Sequence, residues 1–185
     1  MILGITGTIG AGKGAVVDYL VKHKGFTHYS VREFLLEEIR QRGLPEDRTT
    51  LRLVANEMRQ KYHPAHVVES LHARAKDCKE HVIIESIRTV GEAEFLKALG
   101  AKIVAVDADK KLRFERVTGR GSSTDNLTFE QFVHEEDREM ASTEPWDMNV
   151  FGVMNMADYK IVNEGTPKEL YNEVNRMIEE IGEDC

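Results

Sequence analysis

One octet near the start, Gly7-Thr8-Ile9-Gly10-Ala11-Gly12-Lys13-Gly14, constrains this chain more than any other stretch. It lies between the apolar run Ile2-Leu3-Gly4-Ile5-Thr6 and the helical pattern Ala15-Val16-Val17-Asp18-Tyr19-Leu20-Val21. Glycines at this density let the backbone wrap around phosphate oxygens with its N–H groups pointing inward, and a helix that starts there adds the positive end of its dipole. Lys13 supplies a point charge. A plain tight turn would leave that lysine without a purpose, so strand, loop, lysine and helix together read as a phosphate-binding P-loop.

The remainder continues the strand–helix alternation. Phe26–Tyr29, His81–Glu85, Lys102–Asp107 and Tyr159–Asn163 are further short apolar or β-branched runs, and alternation of this kind implies a parallel sheet. Ser30 is placed to cap a helix ending near Arg42, Pro64 to open one reaching about Asp77, and Gly25 and Gly43 to stop helices. Thr128-Phe129-Glu130-Gln131 and Thr166-Pro167-Lys168-Glu169 have capping-box spacing. The expectation is an α/β, three-layer P-loop fold with a five-stranded parallel sheet in one domain, residues 1–185. Its core is 1–29, 80–118 and 158–185. Two intervals exceed a minimal βαβ rhythm: about 30–79, with three helical segments, and about 119–157, with a Gly-rich start, one helix and an irregular Met-containing tail. Gly119-Arg120-Gly121-Ser122-Ser123-Thr124 is small and polar enough for a loop that lets the second interval act as a lid.

Charge and cysteine content exclude several classes. A formal charge of −7, from 25 basic and 32 acidic residues, disfavours a nucleic-acid polymer as partner but leaves room for a local basic pocket. Cys78 and Cys185 have no ligand spacing and are too few for a disulfide framework, so both are expected as free thiols. Without a secretory signal pattern or a membrane-length apolar run, the expected location is the cytoplasm, away from the membrane. His63 and His66 have ligand-like spacing, yet no Cys or carboxylate is seen to complete a metal set, so they read as structural.

The loop resembles that of adenylate kinases and other P-loop nucleoside monophosphate kinases, which reads GxPGxGKGT. The match falls at Gly7, Gly10, Gly12, Lys13 and Gly14; Ile9 and Ala15 depart from it, and Ala15 removes a hydroxyl from the phosphate site. The resemblance implies ATP as donor, Mg²⁺ as cofactor, and Gly7, Gly10, Ala11, Gly12, Lys13, Gly14 and Ala15 as ATP-binding positions. Ile83-Ile84-Glu85-Ser86-Ile87-Arg88-Thr89 is similar to the family's DG(F)PR(T) segment. That match implies Glu85 holding Mg²⁺ through water and Arg88 gripping the acceptor phosphate.

Arg116-Val117-Thr118-Gly119-Arg120 resembles the RIVGR start of an adenylate-kinase lid, implying Arg116 against adenine and phosphates and Arg120 near the transferring group. Arginines suit this work because they keep their charge and present forked donors. Arg138 is a further lid candidate with a plain i, i+3 pairing to Glu135 as the alternative. Arg32 and Arg59 are acceptor-binding candidates weighed against ordinary surface charge, and Lys110, Lys111 and Arg113 read as a solvated helix face. Asn163-Glu164-Gly165-Thr166 stands where similar kinases pass the adenine. Trp146 and the methionines at 140, 148, 154 and 156 are assigned to packing at a lid hinge.

The resemblance implies transfer of the ATP γ-phosphoryl group to a small phosphate-bearing acceptor, a nucleoside monophosphate first. Dephospho-CoA kinase is the related alternative; its hydroxyl nucleophile requires a base, and nothing singles out Asp107 or Glu33 for it. A nucleotide-hydrolysing switch or assembly factor on the same fold is the alternative of another class.

Overall fold

The computed structural model describes residues 1–75, 81–119 and 127–183. Five strands, β1 (Ile2–Gly7), β2 (Thr27–Ser30), β3 (Val82–Glu85), β4 (Lys102–Asp107) and β5 (Tyr159–Val162), form one sheet in the order β2-β3-β1-β4-β5. Every pairing is parallel. The strand that feeds the glycine loop is therefore central, with a neighbour on each side to fix the loop's base.

Period-two alternation divides the strand side chains between two apolar layers. Leu3, Ile5, Ile83, Val104 and Val106 pack on one face under α1 (Lys13–Lys24) and α9 (Pro167–Glu183). Val82, Ile84 and Ile103 face the other way, toward α2 (Val31–Gln41), α3 (Arg48–Lys61), α4 (His66–Ala75) and α5 (Val90–Ala98). Both faces being covered explains why the strands read as continuous apolar runs. A smaller cluster, Ile9, Val117 and Phe132, joins the glycine loop to α6 (Lys110–Gly119) and α7 (Phe129–Met140).

Local signals settle the helix ends. Ser30 Oγ accepts from Glu33 N, and Thr128 with Gln131 forms a capping box. Thr166 and Glu169 exchange the same reciprocal bonds at the start of α9. Gly25 ends α1 in the left-handed conformation, φ 71°. Pro64 lies in the turn ahead of α4, which begins two residues later.

The interval after α7 differs from its expected irregularity. Val150–Asn155 forms a short helix, α8, capped by Asn149, whose Oδ1 accepts from Gly152 N at 2.8 Å. Its Val153 belongs to the α2–α5 apolar layer, and burial of that face is the physical reason a helix forms there. Met156 packs against the same layer. Arg120, the loop 121–124, Cys78 and Cys185 lie outside the described residues.

Candidate active site

The glycine loop is held from three directions. Thr8 Oγ1 donates to Asp107 Oδ1 at 2.5 Å, tying the loop to the end of β4. Asn163 Nδ2 donates to the Ala11 carbonyl at 2.9 Å from the segment after β5. Arg113, on α6, donates to the Ile9 carbonyl at 3.0 Å and to the Ala108 carbonyl at 2.8 Å. Gly12 shows why no side chain is tolerated here: its φ is +94°, and a Cβ would stand 2.3 Å from Asn163 Nδ2. Lys13 lies back along the loop, its Nζ donating to the Gly7 and Thr8 carbonyls at 3.0 and 2.8 Å.

Arg113 corrects the solvated-face expectation for its helix. It is 4% exposed and also pairs with Glu136 of α7. Lys110 reaches the same carboxylate at 3.0 Å, while Lys111 is exposed. Glu136 is nearly buried, and that burial opposes ionisation; hydrogen bonds and charge from Arg113 and Lys110 outweigh it and hold the carboxyl below its ordinary range.

The cleft opens at the carboxyl ends of the strands, where open parallel sheets bind ligands. It has a volume of about 490 Å³ and is lined by Lys13, Glu85 and Arg88 from the sheet edge, and by Arg32, Arg48, Arg52 and Arg59 from the helices after β2. Ser86 makes the bend at the end of β3. Its φ of 75° is the one left-handed non-glycine backbone among the described residues, and its N–H and that of Ile87 both donate to the Ile5 carbonyl. The bend sends Glu85 toward Lys13 and the chain on to Arg88. Burial would raise the Glu85 carboxyl, but the His28 imidazole 3.4 Å away, the Lys13 charge and the Ser86 hydroxyl together lower it.

Arg88 is well fixed. Its backbone carbonyl accepts from Asn149 N at 2.8 Å and its N–H donates to Glu92 Oε2 at 3.0 Å. Its guanidinium pairs with Glu139 on α7. Burial lowers its pKa to about 10, which leaves it cationic at neutral pH.

Arg59 corrects the surface-charge alternative. Only 2% exposed, it donates through Nε and Nη2 to Glu92 Oε1 at 3.0 and 2.7 Å. The other Glu92 oxygen accepts the N–H groups of Arg88 and Thr89. Arg59 therefore lines the cleft with its guanidinium tied to Glu92, the carboxylate that also holds the Arg88 N–H.

The remaining expected residues are less converged. Arg32 is half-exposed, 3.5 Å from Glu33. Arg138 pairs with Glu135 at 3.2 Å, as its spacing allowed. Arg116 Nη1 is buried with no hydrogen-bond partner among the described residues. Gly14 and Ala15 are exposed at the helix start, with open space where a Gly14 Cβ would lie. Gly165 sits beneath the Glu169 carboxylate, so it is Asn163 that touches the loop. Met148 lines the cleft. His63 and His66, expected without a carboxylate, have Glu69 beside them.

Sequence patterns could have exposed Arg113, Glu136 and Arg59. Arg113 shares a stripe with Val117, Glu136 with Phe132, and Arg59 with Ala55, each at i, i+4. A charged residue within an apolar stripe was the available signal.

A glycine loop anchored between the central strand and α1, below a cleft at the sheet's carboxyl edge, defines a P-loop domain of the kinase type. The chain belongs to the AAA-domain family whose model it matches, and to the UPF0200 proteins, with which it aligns over nearly its whole length. Residues 3–146 match the family model described as an AAA domain. A UPF0200 protein of Pyrobaculum aerophilum is 31% identical over 183 residues, covering 97% of this chain and 98% of that protein. A UPF0200 protein of Thermococcus kodakarensis is 31% identical over 189 residues, with 98% of each covered. Among solved structures the chain is similar to TT1252 from Thermus thermophilus, at TM-score 0.66 and 20% identity over 97% of this chain and 96% of that one. It is also similar to shikimate kinase from Aquifex aeolicus, at TM-score 0.56 and 16% identity over 97% of each. These likenesses establish the kinase-like P-loop fold. Among the described residues no helix is long and apolar enough to cross a membrane.

Proposed function

We propose that the protein is an ATP-dependent phosphotransferase whose acceptor is a small phosphate-bearing molecule, with nucleoside monophosphates the first class to test. One observation carries the reading: a single cleft places the P-loop lysine, an ionised carboxylate and Arg88 along one strand edge, with further arginines on the facing helices. Nucleotide phosphates would lie on the loop, with Lys13 leaving the Gly7 and Thr8 carbonyls to reach them. Arg88, leaving Glu139, would grip the acceptor phosphate and align its oxygen with the γ-phosphorus. Alignment and charge neutralisation supply most of the acceleration in such reactions, so a phosphate nucleophile needs no dedicated base.

Magnesium suits this donor set. The ion keeps several waters and takes one or two carboxylates beside substrate phosphates, and Glu85, held ionised, offers such a carboxylate through water. When bound it would offset charge on the phosphate oxygens. Arg116, whose buried Nη1 has no hydrogen-bond partner among the described residues, is proposed to meet the nucleotide, and Arg120 and Arg138 to act from a lid formed by residues 119–157. Residues 30–79 are proposed as the acceptor-binding insertion, with Arg32 lining it and Arg59 positioning Arg88 through Glu92.

Purified protein assayed with ATP against a panel of nucleoside monophosphates and dephospho-CoA, with hydrolysis followed in parallel, tests the reading. Transfer to a panel member supports it. ATP hydrolysis with no transfer to any member favours the switch instead, a reading that the missing hydroxyl at Ala15 and the occupied Arg88 would then explain.

A further inference from the structure

The segment His63-Pro64-Ala65-His66-Val67-Val68-Glu69 places three potential ligands three residues apart, outside the cleft. His66 and Glu69 lie one turn apart on α4, so they share a face. His63 precedes the helix and is folded onto that face by a turn, in which His66 N donates to the His63 carbonyl at 3.0 Å. One donor atom from each of the three lies within 4.8 Å of the others.

We propose that His63, His66 and Glu69 form a zinc-binding site at the junction between α4 and the start of α5. Two imidazoles and a carboxylate make a borderline nitrogen–oxygen set, suited to Zn²⁺ with three protein ligands and water in the remaining position. Magnesium, which favours oxygen ligands, does not match it. Side chains of His63 and Glu69 are 45% and 48% exposed, which gives the ion an entry path and water a place in its shell. At Zn–ligand distances of about 2.1 Å, donors on a tetrahedron stand roughly 3.4 Å apart, within reach of small side-chain rotations from the present spread.

The site is also held from behind. Thr89 Oγ1 donates to the Pro64 carbonyl at 3.4 Å, and Gly91 lies so close that a Cβ there would stand 2.8 Å from Pro64 Cβ. Tyr62 stacks on His66 with ring centroids 4.1 Å apart. The turn carrying His63 is thus seated against the start of α5, and an ordered turn loses less freedom when it closes on an ion. The existing His63–Glu69 hydrogen bond, 2.7 Å long, already brings one ligand pair together. Zinc would replace that bond with a three-point staple joining the turn to α4.

Calorimetric titration of zinc chloride into the untagged full-length chain tests this, with Cys78→Ser and Cys185→Ser introduced so that thiolates add nothing. One saturable site is expected, with zinc raising Tm. Glu69→Gln, on an exposed position that should not disturb folding, and His66→Ala should each weaken zinc binding by at least about tenfold, the scale at which lost site interactions are felt. Both should abolish the Tm rise, with circular dichroism verifying the fold. No saturable binding by the parent, undiminished binding in Glu69→Gln, or magnesium binding with equal affinity would overturn the proposal.

Discussion

On the P-loop side of the cleft the wall is backbone, locked by Asp107, Asn163 and Arg113 from three separate elements. Across the cleft the wall is the ends of long side chains, Arg32, Arg48 and Arg52, carried on helices. The first is a fixed cradle whose conformation excludes any side chain at Gly7, Gly10 and Gly12. The second can be reshaped by one substitution without altering a helix. This difference suggests that the fold specifies how phosphate is bound more tightly than which molecule brings the acceptor. Arg88 stands between the two, a side chain whose backbone is nevertheless fixed by Glu92 and Asn149.

Substitutions at the two walls can break the contrast. The largest effect is expected for Arg59→Ala, which strands the buried Glu92 carboxylate; removing one partner of such a pair costs about 3–5 kcal/mol. Denaturant melts would measure the loss, and below saturation the acceptor KM should rise while ATP affinity holds. Equal weakening of ATP binding would mean that the two walls are not separate. Next comes Lys13→Ala, expected to lower ATP turnover about a hundred- to a thousandfold, as for loss of a preorganised charge, with the melt unchanged. Turnover at the parent rate would remove the P-loop side from catalysis.

Arg88→Ala should raise the acceptor KM and lower kcat with little change in ATP affinity. A charged hydrogen bond contributes about 1.5–3 kcal/mol, so losses of roughly ten- to a hundredfold in kcat/KM are expected in steady-state kinetics. A smaller effect should follow Ala15→Thr: one hydroxyl returned to the cradle is expected to tighten Mg²⁺-dependent nucleotide binding severalfold in calorimetry, about the value of one neutral hydrogen bond. The last concerns acid. Glu136 has a folded-state pKa below its ordinary 4.5, so its contribution is complete above that value and is lost as pH falls through the folded value. Stability measured against pH in the parent and in Glu136→Gln should differ at neutral pH and converge in acid.

The P-loop side was legible because backbone geometry imposes residue types at fixed offsets, and the strands because burial on both faces leaves long apolar runs. The facing wall was legible only through Arg88, which follows a strand end, and through Arg32 and Arg59 as candidates weighed against surface charge. Arg113 reads like its lysine neighbours until its i, i+4 relation to Val117 is weighed, and its contacts with Ile9 and Glu136 join segments remote in sequence. The Arg59–Glu92 pair likewise spans two helices. No spacing within either helix could have announced that pair. The short helix α8 was not legible because its six residues carry fewer than two turns of pattern.

The bend at Ser86 gives evolution an unusual choice. A serine at φ 75° carries strain of about 1 kcal/mol, and a glycine there would shed it while giving the unfolded chain extra entropy that makes folding cost a comparable amount more. Replacement by glycine is therefore close to neutral for folding, and thermal selection has little preference between the two. What separates them is the hydroxyl that serine offers to the Glu85 carboxylate. That hydroxyl is the smallest of the influences that lower this carboxyl, behind His28 and Lys13, so a lineage could drift between the two residues at this position with neither its heat tolerance nor the charge in the cleft registering much change.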